Sequence, residues 1–221
     1  MGRHVSVGQP IPSALTIDGI KECKMATQRK RAKERRRQEL LAAAAEIMAE
    51  RGFHQTRLGD VGAAVGISGP GVYRHFDSKE SLLAEILIDI SVRLADGARD
   101  VLARHRDTGG GAPEVILSDL VAFHVEFAVT EPDRIRVQER EIRNLQAQAL
   151  EKVRSLQRTY LSLWADVLLQ CQPHLGRKEA RLRVQLTAGL INSSRHVIHW
   201  AGADLVQDQA TRMALASLWA D

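Results

Sequence analysis

Nine basic side chains fall within residues 21–37: Lys21, Lys24, Arg29, Lys30, Arg31, Lys33, Arg35, Arg36 and Arg37. Only two acids, Glu22 and Glu34, interrupt them, so the stretch carries +7 while the whole chain carries +4. Residues 81–221 hold 17 basic and 18 acidic residues and are close to neutral. One short arm therefore holds all the excess positive charge. A block of this kind suits a polyanion, because each neutralised phosphate releases condensed counterions. A solvated basic tail without a partner is the plain alternative. A second grouping with chemical potential is His196-x-x-His199, two imidazoles on one helical face. A metal site needs further ligands and an acidic shell around them, and the sequence offers neither. There is no H-E-x-x-H, no phosphate-binding glycine loop and no nucleophile elbow. No enzymatic activity, metal or cofactor is expected.

The elements that position these groups read as helices. Ala, Leu, Glu, Gln and Arg abound, while four Phe and two Tyr are few for an all-β protein. No segment of any length alternates with the period of a strand. From about Glu34, Leu40, Leu41, Ala44, Ile47 and Met48 recur at helical spacing, and Gly52 is a stop signal. A short helix over 58–65 ends at Gly66. Ser68 is a good N-cap for another over 69–76, with Pro70 in its first turn. Asp77 and Glu80 form a capping box for a long helix from about Ser78 to Arg106. Thr108–Pro113 is the clearest loop. Further helices are expected over 113–130, 133–142, 145–170, 178–200 and 205–219. The fold class is all-α. The domain expectation is a flexible basic arm over 1–33, with residues 1–24 an irregular leader, then a DNA-binding unit over 34–80 and a helical bundle over 81–221.

Composition narrows the setting. The chain has 221 residues, 44% hydrophobic and 26% charged, which excludes a disordered chain. No run approaches the roughly 20 apolar residues of a membrane span. The N-terminus lacks an apolar signal region. Two cysteines, Cys23 and Cys171, do not make a disulfide scaffold. A cytoplasmic protein is expected.

Two short helices across a tight turn, behind a basic helix, form a helix-turn-helix geometry. Residues 35–85 resemble the DNA-binding domain of TetR-family transcriptional regulators. The resemblance rests on the Gly52-Phe53 stop, Thr56, the Ala64-x-Gly66-Ile67-Ser68 turn, the Tyr73-x-His75-Phe76 end of the third helix, and Ser78-Lys79-Glu80. It implies an N-terminal three-helix DNA-binding domain followed by a ligand-binding and dimerisation bundle. It implies backbone contacts to DNA from Arg35, Arg36, Arg37, Tyr73 and His75, with Thr56 capping the second helix and facing a phosphate. Lys79 sits at a helix N-terminus, where the helix end and the ammonium both favour phosphate. Base reading falls to the segment that Ser68 opens, namely Gly69, Pro70, Gly71, Tyr73 and Arg74. Arg74 is the best candidate for a bidentate contact to guanine. The chain departs from the family pattern in having glycine at 62, 69 and 71. Fewer side chains remain for direct readout, and DNA shape or the arm is expected to supply part of the specificity. Phe53, Val61, Val65, Val72 and Phe76 are expected core.

The resemblance further implies that the last two helices pair with their twins in a homodimer on a pseudo-palindromic operator. Val184, Thr187, Ala188, Ile191 and Arg195 on one helix, and Ala210, Met213, Ala214, Ser217 and Leu218 on the other, suit close helix packing. An effector pocket is expected among Phe123, His124, Phe127, Tyr160, Trp164, Asn192, His196 and Trp200; ordinary core is the plain alternative for its apolar members. Polar residues such as Asn192 and His196 lean towards a ligand, because buried polar groups need partners. Arg134, Arg136, Arg140 and Arg143 read as a solvated face. The Ser-Gly-Pro-x-x-Tyr-Arg-His-Phe run is similar to actinobacterial regulators of lipid and acyl-CoA metabolism, which implies an apolar or acyl-CoA effector. The expected function is a repressor released by that small molecule, the long helix after Ser78 coupling the two sites. An effector-independent DNA-binding regulator, or an activator controlled by a partner, is the alternative.

Overall fold

A computed structural model describes residues 17–107 and 109–220. The leader expected over 1–24 lies outside the described residues as far as residue 16, as does Thr108 of the expected loop. The described residues form ten α-helices and no strand: α1 (Ile17–Arg51), α2 (Leu58–Ala64), α3 (Gly69–Val72), α4 (Lys79–Asp107), α5 (Pro113–Thr130), α6 (Pro132–Glu141), α7 (Ala147–Cys171), α8 (Arg177–Asn192), α9 (Ile198–Ala201) and α10 (Ala203–Leu218). No helix among them is long and apolar enough to cross a membrane.

The N-terminal unit is built around the apolar stripe of α1. Leu40, Leu41, Ala44 and Met48 are buried at three- and four-residue steps. They pack with Leu58 and Val61 of α2, Val72 of α3 and Phe53 and Phe76 of the connecting turns in one core. Val65 is half-buried at its edge. Gly52 ends α1 with φ +86°, in the left-handed region that suits glycine. The helix begins much earlier than the pattern after Glu34 indicates. It runs back through the basic stretch expected as an arm, although its described side chains up to Arg35 are exposed. Backbone hydrogen bonds and good helix formers carry it there, not burial.

Three local expectations change. Thr56 does not cap α2: Arg57 holds the N-cap position. Thr56 is 1% exposed, and its hydroxyl donates to the Gly52 carbonyl at 2.8 Å. The last turn of α1 thus takes the side chain meant for the next helix. The capping box of α4 is shifted by one residue. The Ser78 backbone N–H donates to Ser81 Oγ at 3.1 Å, and the Ser81 N–H returns to Ser78 Oγ at 3.0 Å. Finally, α3 closes after Val72, and a hydrogen-bonded turn carries the chain to Phe76.

In the C-terminal bundle α4 packs chiefly on α7, and also on α5 and α6. Leu82, Leu83, Ile86, Leu87 and Ile90 are buried in its first half, and Leu94, Ala95, Ala98 and Val101 in its second. His105 Nε2 lies 2.8 Å from Asp119 Oδ2, tying the end of α4 to α5. The helix expected over 178–200 breaks after Asn192 into a 3-10 turn, Ser193–His196, and then α9. Ser193 Oγ donates to the Leu190 carbonyl at 2.6 Å, an alternative that serine offers to helix continuation. The break leaves His196 and His199 both exposed. No group of three potential metal ligands occurs among the described residues.

The close fit of α2 against α3 depends on the glycine at 62. A Cβ there would stand 2.8 Å from Val72 Cγ2 and 2.9 Å from the Ile67 carbonyl oxygen. The side chain that Gly62 lacks is therefore the space Val72 fills. Gly62→Ala is expected to lower stability by about 1–3 kcal/mol through overpacking. Urea unfolding of the full chain measures it, and an unchanged midpoint would show that the turn has slack.

Candidate nucleic-acid interface and effector cavity

The surface of α3 and the turn after it is bare of acids. Tyr73 is 57% exposed, and Arg74, Ser68 and Pro70 are exposed beside it. Gly69 and Gly71 are half-buried, so the backbone itself forms much of this surface. His75 is half-buried, with Nδ1 buried and without a hydrogen-bond partner among the described residues. Burial lowers its pKa first, and the cations Lys33, Arg37, Arg36 and Arg74 lower it further. Those four charges mark a positive field that converges here from the basic helix and the short one. Neutral hydrogen-bonding groups within such a field suit a phosphate backbone.

The three arginines that open the compact part of α1 have different surroundings. Arg35 projects into solvent, with only a 4.0 Å approach to Glu39. Arg36 Nη1 donates to the Val65 carbonyl at 2.9 Å and pairs with Glu39 at 2.8 Å, fastening α1 to the end of α2. Arg37 donates to the His75 carbonyl at 2.8 Å, pairs with Glu85 of α4 and lies over the Phe76 ring at 4.6 Å. Arg36 and Arg37 thus hold the three helices in register. Their roles as staples are invisible in a run of like charges. Lys79 donates to the His54 carbonyl at 3.2 Å and lies 4.5 Å over the Phe53 ring, at the first residue of α4. Thr56, buried as described, presents no hydroxyl to this surface.

The bundle contains a cavity of about 400 Å³ between α4, α5, α6, α7 and α8. Three of the eight residues expected there line it: His124, Tyr160 and Asn192. Trp164 is buried directly behind, edge-on to both His124 (5.9 Å) and Tyr160 (5.7 Å). The other four lie elsewhere. Phe123 sits in the notch left by Gly97 of α4, where a Cβ would overlap its ring. Phe127 packs under Arg93, whose guanidinium is 5.0 Å from the ring centre. His196 is exposed by the break after Asn192, and Trp200 is 71% exposed on the outside of the bundle. The lining also includes Leu94, Gln138, Glu139, Ile142, Gln157, Leu161 and Gln185, with Arg154 and Arg158. Arg154, Gln157, Arg158 and Leu161 share one face of α7, and sequence reasoning missed that face as a cavity wall.

His124 Nε2 lies 3.1 Å from Asn192 Oδ1. Burial lowers the pKa of His124 to about 4, opposed by that hydrogen bond, and burial raises that of Tyr160. Both are therefore neutral near pH 7. The carbonyl of Asn192 accepts the Nε2 proton, which leaves Nδ1 as an acceptor. Among the described residues Nδ1 of His124 is buried without a hydrogen-bond partner, and the buried Tyr160 hydroxyl and Trp164 indole nitrogen have only each other. Buried polar groups of this kind are costly unless something satisfies them.

The wall and the DNA-facing unit meet through α6. Gln138 and Glu139 line the cavity, and the next two residues clamp the end of α1. Arg140 Nη1 donates to the Ala49 carbonyl at 3.2 Å, and Arg140 Nε donates to Glu141 Oε1 at 2.9 Å. Glu141 is 4% exposed and also accepts from the Phe53 backbone N–H (3.2 Å) and Asn144 Nδ2 (2.7 Å). Glu139 pairs with Arg195, whose Nη1 donates to the Asn192 carbonyl at 3.2 Å. Arg134, expected on a solvated face, is instead held between Asp89 and Glu131, each at 2.6 Å.

Most of the residues expected to pair across a dimer turn inward, whereas Met213 stays exposed. Val184, Thr187, Ala188 and Ile191 of α8, and Ala210, Ala214 and Leu218 of α10, are buried within the chain. Thr187 Oγ1 and Ser217 Oγ are 2.8 Å apart across that contact. The exposed apolar face is the neighbouring one. Trp200, Leu205 and Met213 stand around a hollow of about 250 Å³, and Leu182 and Leu186 are exposed on α8.

Comparison with known proteins places these features in a family. Residues 40–86 match the model of bacterial regulatory proteins of the tetR family, and residues 110–217 match a tetracyclin repressor-like C-terminal domain. The HTH-type transcriptional repressor KstR2 of Rhodococcus jostii is 32% identical over 134 residues, 60% of this chain. The match spans 63% of that repressor's length. A TetR-family regulator from Bordetella parapertussis superposes with a TM-score of 0.69 at 25% identity, over 81% of this chain and 93% of that one. The regulator FadR from Bacillus subtilis, solved with stearoyl-CoA, shares the fold at 17% identity. Its TM-score is 0.63, over 82% of this chain and 96% of that one.

The depressed pKa of His124 has a consequence for stability. Its ordinary value is 6.5, and in the fold it is about 4. As pH falls below 6.5 the unfolded chain takes up the proton and the folded one does not. The stability present above pH 6.5 is therefore lost progressively towards pH 4, by roughly 3 kcal/mol from this group. His124→Gln should flatten the difference between urea midpoints at pH 7 and pH 4.5. The His124 ring resonances should not titrate above about pH 5; a midpoint near 6.5 would place the ring in water.

Proposed function

The chain belongs to the TetR family of bacterial regulatory proteins, DNA-binding transcriptional regulators with a helix-turn-helix, and from that premise we propose a specific mode of action. It is a repressor that binds a pseudo-palindromic operator as a homodimer and is released by a small-molecule effector. The observation that carries this reading is the cavity of about 400 Å³ whose α6 wall ends on the last turn of α1. A hollow between packed helices has the size of small-molecule sites in general. Its link to the DNA-facing unit gives an occupant something to move.

Residues 34–80 act as the DNA-binding unit and 81–221 as the effector and dimer unit. Arg74 reads bases, with Ser68, Gly69, Pro70, Gly71 and Tyr73 bringing the backbone close to the groove. Arg35, His75 and Lys79 face phosphates, joined by the basic helical extension before Lys33. Arg36 and Arg37 act chiefly by holding α2 and α3 in place. In the dimer, Leu182, Leu186, Trp200, Leu205 and Met213 are covered by a second copy, since an apolar patch of this kind on a soluble surface marks a contact. Two-fold pairing sets the recognition helices one helical turn of DNA apart, about 34–36 Å.

The effector is apolar or an acyl-CoA. The stearoyl-CoA bound by FadR of Bacillus subtilis supports this class. The apolar part would occupy the cavity, and a coenzyme would remain outside, beyond Arg154 and Arg158. Release is a population shift: effector and operator favour different spacings of the two DNA-binding units, and each weakens the other by the same factor. Both α4, which places Leu94 on the cavity, and α6 connect the sites. The cytoplasm is where such a protein meets its DNA.

A gel shift on DNA upstream of the chain's own and neighbouring genes tests the proposal. The native protein should retard one fragment, and cell extracts containing the effector should release it. Arg74→Ala should cost about 1–3 kcal/mol and relax the choice of site, while Lys79→Ala should weaken all sites alike. Leu186→Arg should give a monomer in sedimentation and lose the shift. A dimeric Leu186→Arg protein, or a native protein that shifts no fragment at low salt, would sink this reading.

A further inference from the structure

The cavity wall is not uniformly greasy, and its polar groups are sorted by depth. At the inner end stand His124 and Tyr160, at 2% and 4% exposure. Their ring centres are 5.5 Å apart, edge to face. Among the described residues His124 Nδ1 has no hydrogen-bond partner and the Tyr160 O–H has no acceptor, the Trp164 indole beside it being only a donor; both residues line the cavity. At the outer end stand two guanidinium groups, Arg154 and Arg158, on exposed turns of α7. Arg158 is shared with Glu151 at 2.6 Å, and Arg154 has no carboxylate partner among the described residues. The rest of the lining mixes Leu94, Ile142, Leu161 and Ala188 with Gln138, Gln157, Gln185 and Glu139, whose charge is paired with Arg195. Arg154 and Tyr160 are six residues apart on one helix, so about 9 Å of axial length separates the cationic rim from the buried phenol.

Each end selects a different chemistry. A buried imidazole that remains neutral near pH 7, beside a buried neutral phenol, does not welcome a charge, because an ion there would lose its hydration without a counter-charge. With Nε2 committed to Asn192, Nδ1 offers a lone pair, and the phenol offers an O–H. One hydroxyl group satisfies both, donating to Nδ1 and accepting from Tyr160. The rim, in contrast, suits an anion. We propose that the effector is a hydroxylated acyl compound: a neutral hydroxyl at the buried end, an apolar body of about 9 Å, and an anionic end at Arg154 and Arg158. This rests on the cavity being the effector site. The anionic end is either a free carboxylate or the phosphates of a coenzyme A thioester.

Calorimetric titration of the full-length dimer with 10-hydroxydecanoate, decanoate, 1-decanol and 10-hydroxydecanoyl-CoA tests it. The hydroxy acid should bind at least about tenfold more tightly than decanoate, the yield of one well-made buried hydrogen bond. Tyr160→Phe should erase that ratio. The same variant, without ligand, should melt close to the native temperature, because it removes a buried O–H that has no acceptor, so a loss of preference would not be a loss of fold. Arg154→Gln should weaken both acids alike and leave 1-decanol unchanged. Tighter binding of the thioester than of the free hydroxy acid would identify the coenzyme as the anionic end; the reverse would identify the carboxylate. Equal binding of decanoate and 10-hydroxydecanoate overturns the inference and leaves the cavity as effector site. Binding by none of the four also overturns it, and the release of operator by extracts then decides separately whether an effector exists.

Discussion

A carboxylate removed from water must be surrounded by donors, and Glu141 obtains its donors from two parts of the chain. Arg140 and Asn144 are its neighbours, but the Phe53 backbone N–H comes from the turn that follows α1. The buried charge therefore remains compensated only while the DNA-facing unit sits in one orientation on the bundle. Arg140 reinforces the same contact through the Ala49 carbonyl, an acceptor that the end of α1 leaves open. Much of the architecture follows from this junction. It places α6 beside α1, and α6 in turn forms a wall of the cavity.

The junction is polar where the rest of the molecule is apolar, and the difference suits a switch. Packed apolar cores resist partial displacement, whereas a cluster of directed hydrogen bonds has distinct alternatives. The contacts from Asn192 to Arg195, from Arg195 to Glu139 and then two residues along the α6 backbone to Glu141 are continuous. Contiguity alone does not demonstrate coupling. It does identify the element whose two arrangements an effector and an operator would each favour.

How much of this was legible in the sequence varies with the kind of signal. The period of Leu40, Leu41, Ala44 and Met48 located the core of α1, and Gly52 and Gly66 located two helix ends, because glycine acts locally. The span of α5 was legible to the residue, since Pro113 opens it and Pro132 follows its end. The cap of α4 was misplaced by one residue, because Asp77 and Ser78 are both good caps and only the tertiary setting chooses. Arg36 and Arg37 looked like members of a charge run; that each finds a carbonyl some thirty residues away depends on the fold. In the cavity, His124, Tyr160 and Asn192 were visible as polar groups on apolar faces. Phe123 and Phe127 carried the same signal as any core aromatic and proved to be packing. The break after Asn192 moved His196 and Trp200 out of the interior, and nothing but the serine pair hinted at it. The inward turn of the α8 and α10 faces shows the same limit, since a small-residue stripe fits a helix of its own chain as well as a twin.

The clamp on Glu141 grips α1 at one end only. From Ile17 to Arg51 that helix has 35 residues, which is roughly 50 Å of length at 1.5 Å per residue. A rod held at one end multiplies small rotations. A tilt of about 5° at the clamp would carry the far end through about 4 Å, comparable with the step between neighbouring phosphates on one strand. Arg29, Lys30, Arg31 and Lys33 lie on the exposed part of that rod, ahead of the staples Arg36 and Arg37. An adjustment too slight to disturb the core at Leu40 and Met48 would thus move those charges by roughly 2–3 Å, most of the axial rise of one nucleotide.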